Sequence, residues 1–347
     1  MNPMQDQVQG ALRRGLKYLA EKQLSSGEFV TLVAKDADII QDAVYDGSPF
    51  TTSHILSSLL EFSAPESAEM IAKGVKFLTE SELEGGIWRF WNKEHPGHEN
   101  TPPDVDATAC IRHILRLTTH KNAADPYEGI LFGNRNQKGL FYTWIVKRWR
   151  HIFSPSSKGA LRIVHSSPER LKSFFTIGQV TAEDIDVVVN ANALLYLGDR
   201  SSTKRAAAWI RHVIETGQEE TSDRFYQSKI ALYYAVMRCT SAGVKSMAEL
   251  RPLVLKNLRP LRAADGSYGG NCQDTALAAN VLCFWEPDAP ETFETLQHLL
   301  LTQREDGSWP AHAFYYGGWK RVRAWGSPEL TTGFCLEALG RYYQETK

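Results

Sequence analysis

Apolar and polar positions along the chain sort into two kinds of helical segment. In the first kind a polar opening is followed by small and apolar residues on every side, as in Ser48-Pro49-Phe50-Thr51-Thr52 running to Leu60. A helix without a polar face must be surrounded by protein. The pattern recurs in Asp104-Val105-Asp106-Ala107-Thr108-Ala109 to Leu115, and in Asp184-Ile185-Asp186 through Asn190-Ala191-Asn192 to Leu197. It returns in Asp223–Ser228 to Val236, in Gln273-Asp274-Thr275-Ala276 to Cys283, and in Ser327–Thr332 to Leu339. The first and last copies match best, SPFTTSHILSSL against SPELTTGFCLEAL. The second kind carries its charges on one face: Gly10–Gln23, Ala68–Glu80, Thr203–Glu215 and Glu291–Gln303. Six apolar helices alternating with amphipathic ones predict an all-α fold, an (α/α)6 toroid whose outer ring alone meets water.

Ser, Thr and Asp at the inner-helix openings suit N-caps, because their side-chain oxygens accept from the free amides of a first turn. Equivalent inner positions Thr52, Thr108, Asn190, Ser228, Thr275 and Thr332 are separated by 56, 82, 38, 47 and 57 residues. The long second interval predicts an insertion at about 123–180 within a single domain spanning 1–347. It includes Phe141–Phe153, aromatic and basic residues interleaved, which could dock on a membrane surface or cover an apolar pocket, or pack as a buried strand or helix under the rim.

Outer helices end in a second signature, a Gln followed by Gly-x-aromatic. Gln23 precedes Gly27-Glu28-Phe29, and Gln303 precedes Gly307-Ser308-Trp309; weaker copies end in Gly86-Ile87-Trp88 and Gly266-Ser267-Tyr268. A Gln here can bond backbone amides at the next helix start while the ring stacks on the turn, stapling neighbouring hairpins.

Composition changes the picture mainly by exclusion. Hydrophobic residues at 43% and charged ones at 23% are ordinary for a globular core. A formal net charge of −1 gives no basic excess to neutralise phosphates, so nucleic acid is set aside. Met1–Glu21 lacks the apolar run of a signal peptide and no later run is long enough to span a bilayer, so a cytoplasmic protein is expected. The five cysteines, four of them inside apolar helical stretches, predict reduced core residues.

With the alternating helices and the Gln/Gly-aromatic staples, the chain resembles the terpenoid-cyclase and protein-prenyltransferase superfamily from about Gly10 to Tyr343. The sequence Pro102-Pro103-Asp104-Val105-Asp106-Ala107-Thr108-Ala109 looks like the class II cyclase acid motif Asp-x-Asp-Asp-Thr-Ala. The resemblance implies that Asp106 is the acid that protonates an alkene or epoxide, with Asp104 beside it; Ala107 replaces the last Asp. It also implies an isoprenoid or other hydrophobic substrate. Prenyltransferases hold zinc through Asp-x-Cys and a distant His, but Gly270 stands two residues before Cys272, so neither a metal at Cys272 and His312 nor any other cofactor is expected.

In such a toroid the inner-helix N-termini gather at one mouth, where their partial positive charge favours an anionic group. Asp104, Asp106, Asp184, Asp186, Asn190, Asn192, Asp274 and Glu329 are therefore expected to converge there. Crowded carboxyls cannot all ionise, so at least one should stay protonated, with Asp104 and Asp106 titrating together. Trp91, Tyr316 and Trp319, in the aromatic clusters 88–91 and 314–319 of the segments that lead to the second and last inner helices, are candidates for packing a substrate and stabilising a cation, and His98 of the first segment is a further candidate for substrate binding. His95 and His312, in the same connections, could serve as bases or ligands. Familiar class II cyclases form their cavity between two helical domains and this chain has residues for one. Two rivals stand beside the cyclase: a prenyl- or lipid-binding toroid or transferase-like subunit needing a protein partner to complete its cavity, and a silent repeat scaffold.

Overall fold

The computed structural model describes residues 3–61, 65–119, 127–147, 168–177, 180–318 and 320–345. Six helices form the inner ring: α2 (Pro49–Glu61), α4 (Val105–Thr119), α7 (Val187–Leu197), α10 (Lys229–Ser241), α13 (Cys272–Trp285) and α15 (Pro328–Glu345). Each packs on the next, and α15 packs back on α2, so the ring closes. All eleven residues of α7 are buried, as an inner helix requires. The outer helices include α1 (Pro3–Lys22), α3 (Ala68–Glu80), α8 (Lys204–Glu215), α12 (Arg251–Leu258) and α14 (Pro290–Thr302). Their charged faces carry exposed ion pairs such as Lys17–Glu21 and Lys73–Glu69, which add little stability. Among the remaining helices, α5 (Glu128–Gly133) and α6 (Pro168–Ile177) lie in the 123–180 interval, and α9 (Glu219–Ser222) and α11 (Lys245–Ala248) are single turns. All five cysteines are buried and free.

The staples are present, with donor and acceptor reversed from the expectation. The Gln23 amide donates to the carbonyls of Gly27 and Met70, and Gln303 donates to those of Gly307 and Ala11. The second pair ties α14 to α1 and helps close the ring. Five of the six inner positions picked out by the repeat have a specific task, while the sixth, Ser228, donates its hydroxyl to Asp274. The hydroxyls of Thr52, Thr108, Thr275 and Thr332 accept from the backbone N–H of Phe29, Trp88, Tyr268 and Trp309. In the third repeat Asn190 does the same for Phe141, at 2.9 Å. Gly139-Leu140-Phe141 is thus another copy of the Gly-x-aromatic signature, within the interval read as an insertion. Phe141 and Ile145 are buried and Trp144 packs on Phe174, while Arg148–Phe153 lie outside the described residues.

Glycine is required at these turns. Gly27 has φ +92° and a Cβ there would lie 2.2 Å from the Lys73 carbonyl oxygen; Gly217 has φ +67° with open space around it. Gly27→Ala is expected to lose about 3 kcal/mol or more in denaturant unfolding, against about 1 kcal/mol for Gly217→Ala, because only the first adds a backbone collision to the strain.

The helices do not account for the whole fold. Strands β1 (Leu32–Ala34), β2 (Val44–Tyr45), β3 (Tyr315–Tyr316) and β4 (Ala324–Gly326) form a small antiparallel sheet ordered β2-β1-β4-β3. Leu32 faces Gly326 and Tyr315 faces Trp325 in register. By joining the first and last repeats, this sheet builds one wall of the site.

Candidate active site

A cavity of about 490 Å³ opens at the ring end where the inner helices begin, a volume in the range of small-molecule sites. Its lining comes from several elements. Asp104 and Asp106 stand at the start of α4, and Phe225 and Tyr226 on the turn before α10. Trp144 and Phe174 come from the long interval, and Tyr315, Tyr316 and Trp325 from the sheet. Phe90, Trp91 and Phe50 complete the aromatic surface.

Local sequence places the acids. The Asp104 amide bonds the Trp88 carbonyl, the Val105 amide bonds that of Thr143, and Asp104 Oδ1 caps α4 by accepting from Ala107 N–H at 2.6 Å. Its other oxygen has no protein partner and is buried. Burial, with a smaller push from Asp106, raises the Asp104 carboxyl well above the ordinary carboxylate range. Two residues on, Asp106 faces the cavity. Its Oδ2 accepts from the Tyr226 hydroxyl at 2.5 Å and its Oδ1 from the Asn192 amide at 2.7 Å. Burial raises its pKa to about 7, against the pull of Tyr226, Asn192 and Arg238; Asp186 adds a smaller push upward. Crowding therefore contributes, but desolvation dominates for both acids. The result is a carboxylic acid that keeps a large neutral fraction up to about pH 7 and whose conjugate base would meet two donors in place.

Behind the acid, Arg238 is fully buried; its guanidinium reaches Ser57 Oγ at 3.2 Å and Asn192 Oδ1 at 3.5 Å. Engaging that oxygen leaves the Asn192 NH2 group turned to Asp106.

Of the residues singled out in the sequence, Asp104, Asp106, Trp91 and Tyr316 line the cavity. Asn192 stands behind Asp106. Asp186 caps α7 through Val188 and Val189 and accepts from the Arg224 and Phe225 amides, which fixes the turn carrying Tyr226. Asp184 binds Thr181 and the Arg224 guanidinium and reaches Trp144 Nε1 at 3.4 Å, steadying the wall that Trp144 forms beside Asp104. Asn190 is taken up by the Phe141 backbone. Asp274 accepts from Ser228 and Asn271, and Glu329 from Tyr18, none of them lining residues. His98 is buried with Nδ1 2.8 Å from the Trp91 carbonyl oxygen, so it supports the Trp91 turn from below. Trp319 lies outside the described residues. His95 stacks on Trp91 and bonds Asp46, while His312 pairs with Asp38 and Cys272 is buried at the start of α13.

Tyr226, Phe50, Phe225 and Trp325 were not among the candidates, whereas Trp144 and Tyr315 stand in the stretches 141–153 and 314–319, whose aromatic residues were offered for covering a pocket or packing a substrate. Tyr226 did carry a signal, since it sits in a repeat opening at the place where other copies hold polar mouth residues. Trp325 carried none, because it lies in a strand and not in a helix of the repeat. Among the described residues no helix is long and apolar enough to cross a membrane, and no cluster of three His, Cys, Asp or Glu side chains could hold a metal ion.

No known family model matches the chain, and no curated protein does. Among solved structures, a protein from Actinoplanes superposes with a TM-score of 0.70 at 17% identity, covering 96% of this chain and 99% of that one. Type II terpene cyclase MstE from Scytonema gives 0.70 at 14% identity, over 96% of this chain and 98% of that one. A variant of that cyclase in complex with geranylgeranyl dihydroxybenzoate, its substrate, gives 0.69 at 14% over 99% of both chains. The likeness shows a common fold, the helical toroid found in that type II terpene cyclase.

Proposed function

We propose that the chain is a class II-type terpene cyclase that binds an isoprenoid in the 490 Å³ cavity and starts its cyclisation by protonation from Asp106. The observation that carries this reading is the Asp106 carboxyl, pushed to about 7 and facing an aromatic cavity while Tyr226 and Asn192 bond its two oxygens. The likeness to a cyclase complexed with an isoprenoid-bearing aromatic acid supports the substrate class. α4, the turn before α10, the sheet and the 123–180 interval all contribute lining from this one chain, which supports a cyclase that works with a single toroid.

Asp106 O–H gives its proton to the terminal alkene: a C–H bond forms from the π electrons and the O–H bond breaks. The cation left on the tertiary carbon is attacked by the next alkene. Tyr226 and Asn192 meet the charge that develops on the carboxylate without reorganising, which favours the transition state over the bound substrate. Phe50, Phe90, Trp91, Tyr315 and Trp325 offer π faces to the migrating cation and exclude water that would quench it. Loss of a proton from the final cation balances the reaction, so the net change is an isomerisation.

Purified protein incubated in D2O with geranylgeranyl compounds bearing alcohol, diphosphate or aromatic-acid ends should yield a cyclic isomer carrying one solvent deuterium at the protonated terminus, read by mass spectrometry. Recovery of unchanged isoprenoid from all three would overturn the proposal. The working form is the protonated acid, so kcat/KM should be highest below about pH 7 and fall as pH rises through it. In Tyr226→Phe, where a bond that stabilises the carboxylate is lost, the fall should move to higher pH.

A further inference from the structure

One wall of the cavity, built on Trp91 and Trp325, has a carboxylate of its own behind it. Asp46, just past β2, is nearly buried, and its Oδ2 accepts from two indole N–H groups, Trp91 Nε1 at 2.8 Å and Trp325 Nε1 at 2.6 Å. Both indoles line the cavity. Its Oδ1 lies 2.8 Å from His95 Nε2. The Gly97 amide donates to the other nitrogen of that ring at 2.9 Å, so Nε2 carries the proton and the imidazole beside Asp46 is neutral. Among the described residues no Lys or Arg pairs with Asp46. His95 also stacks on Trp91, with centroids 4.4 Å apart and planes 16° apart, which holds the indole in orientation.

Two more rings extend this wall. Tyr315 stacks parallel to Trp325, with centroids 5.9 Å apart and planes 16° apart, and Phe90 meets both edge-on at 5.4 and 5.7 Å. The Tyr315 hydroxyl is tied to Thr51 Oγ1 at 3.1 Å.

We propose that Asp46, Trp91 and Trp325 form a cation-stabilising subsite, in which a carboxylate behind the wall bonds two indoles and makes their cavity-facing π surfaces more attractive to positive charge. Two physical effects act together. An N–H bonded to a carboxylate pushes electron density into its ring, and the carboxylate's own field reaches through the thin aromatic layer in a dry, weakly screened site. The cation–π attraction of an indole, already the strongest of the aromatic side chains, is increased in both ways. Asp46 touches no substrate and acts through the two rings, so it is a positioning and polarising residue. Asp46 and Asp106 bond different groups, which suits a division of labour: Asp106 serves the first charge and the Asp46 wall a cation that has migrated along the chain. This inference rests on the isoprenoid reading of the cavity.

The test uses two probes on protein carrying Asp106→Asn, which removes the acid as a rival counter-charge. One is an aza-isoprenoid whose protonated ammonium nitrogen replaces a branched chain carbon, and the other is the neutral isoprenoid alcohol of equal length; both are titrated by calorimetry. The ammonium probe should bind about tenfold more tightly than the alcohol, and Asp46→Asn should erase most of that preference while alcohol affinity stays within about twofold. Trp91→Phe with Trp325→Phe, which keeps rings and carboxylate but removes both N–H links, should lose part of the preference. An ammonium preference unchanged by Asp46→Asn, with alcohol binding intact, would overturn the subsite and leave the cyclase reading standing. Failure of both probes to bind would overturn the isoprenoid reading and the subsite with it. Should Asp46→Asn fail to fold, the double tryptophan variant decides, and an unchanged preference there overturns the proposal.

Discussion

Asp106→Asn should remove cyclisation, lowering kcat by on the order of 10³-fold or more, while the protein stays folded. Asparagine has the shape of aspartic acid: its carbonyl oxygen can still accept from Asn192 while its NH2 group donates to the Tyr226 oxygen, yet it has no acid proton to give. Stability should show the opposite trend from activity. The folded-state pKa of Asp106 is raised to about 7 from an ordinary value of 3.8. Its contribution to stability is therefore complete below about pH 4 and is lost as pH climbs to about 7, where a poorly solvated group must ionise. The neutral amide avoids that loss, so at pH 8 the variant should melt no lower than the parent. Steady-state turnover with product analysis, and calorimetric melts at pH 5 and pH 8, check both halves. Parent-like turnover in the variant would reduce Asp106 to a residue of the helix start.

The second large effect concerns stability. Glu337, on α15 and fully buried, accepts from the Tyr234 hydroxyl at 2.7 Å, the Ser58 hydroxyl at 2.9 Å and Arg341 at 3.1 Å. Arg341 also binds Glu61 at 2.8 Å, and Arg238 stands over the Tyr234 ring at 5.7 Å. This cluster ties α2, α10 and α15 across the axis of the ring. Glu337→Leu should cost about 3–5 kcal/mol in denaturant unfolding, because it strands buried cations and leaves the Tyr234 and Ser58 hydroxyls without their acceptor. Replacing several members together with apolar residues should cost less than this single change. The site should register the loss too, since Arg238, which engages Asn192 behind the acid, belongs to the same buried charge cluster.

Much of the toroid could be read from the chain because its determinants are local. A helix that is apolar all round differs from one with a single apolar face within a dozen residues, and the Gly-x-aromatic turns repeat beside the helices they close. The inner positions Thr52, Thr108, Asn190, Thr275 and Thr332 were found by repetition alone, and five backbone amides bond to them. The copy at Gly139-Leu140-Phe141 is hard to see because the helix before it, Glu128–Gly133, is too short to show an amphipathic repeat. The acid pair was legible as well, since Asp104 and Asp106 lie together in one motif.

What tertiary structure decided is which side chains meet. Asn192 lies 86 residues from Asp106 and Tyr226 120 residues from it, and Trp325 is 279 residues from Asp46. No local pattern orders such pairs; they are neighbours because the ring closes and brings helix starts and the two ends of the chain to one mouth. Ring geometry also separated the polar residues that sequence had grouped. Asp186 and Asn190 satisfy backbone groups that burial would otherwise leave unpaired, while Asp106, one turn position away from a cap, is free to face the cavity. The wall of Trp91, Tyr315 and Trp325 depends on a sheet of two- and three-residue strands, too short to leave a periodic trace in the sequence, whose partners come from the first and last repeats.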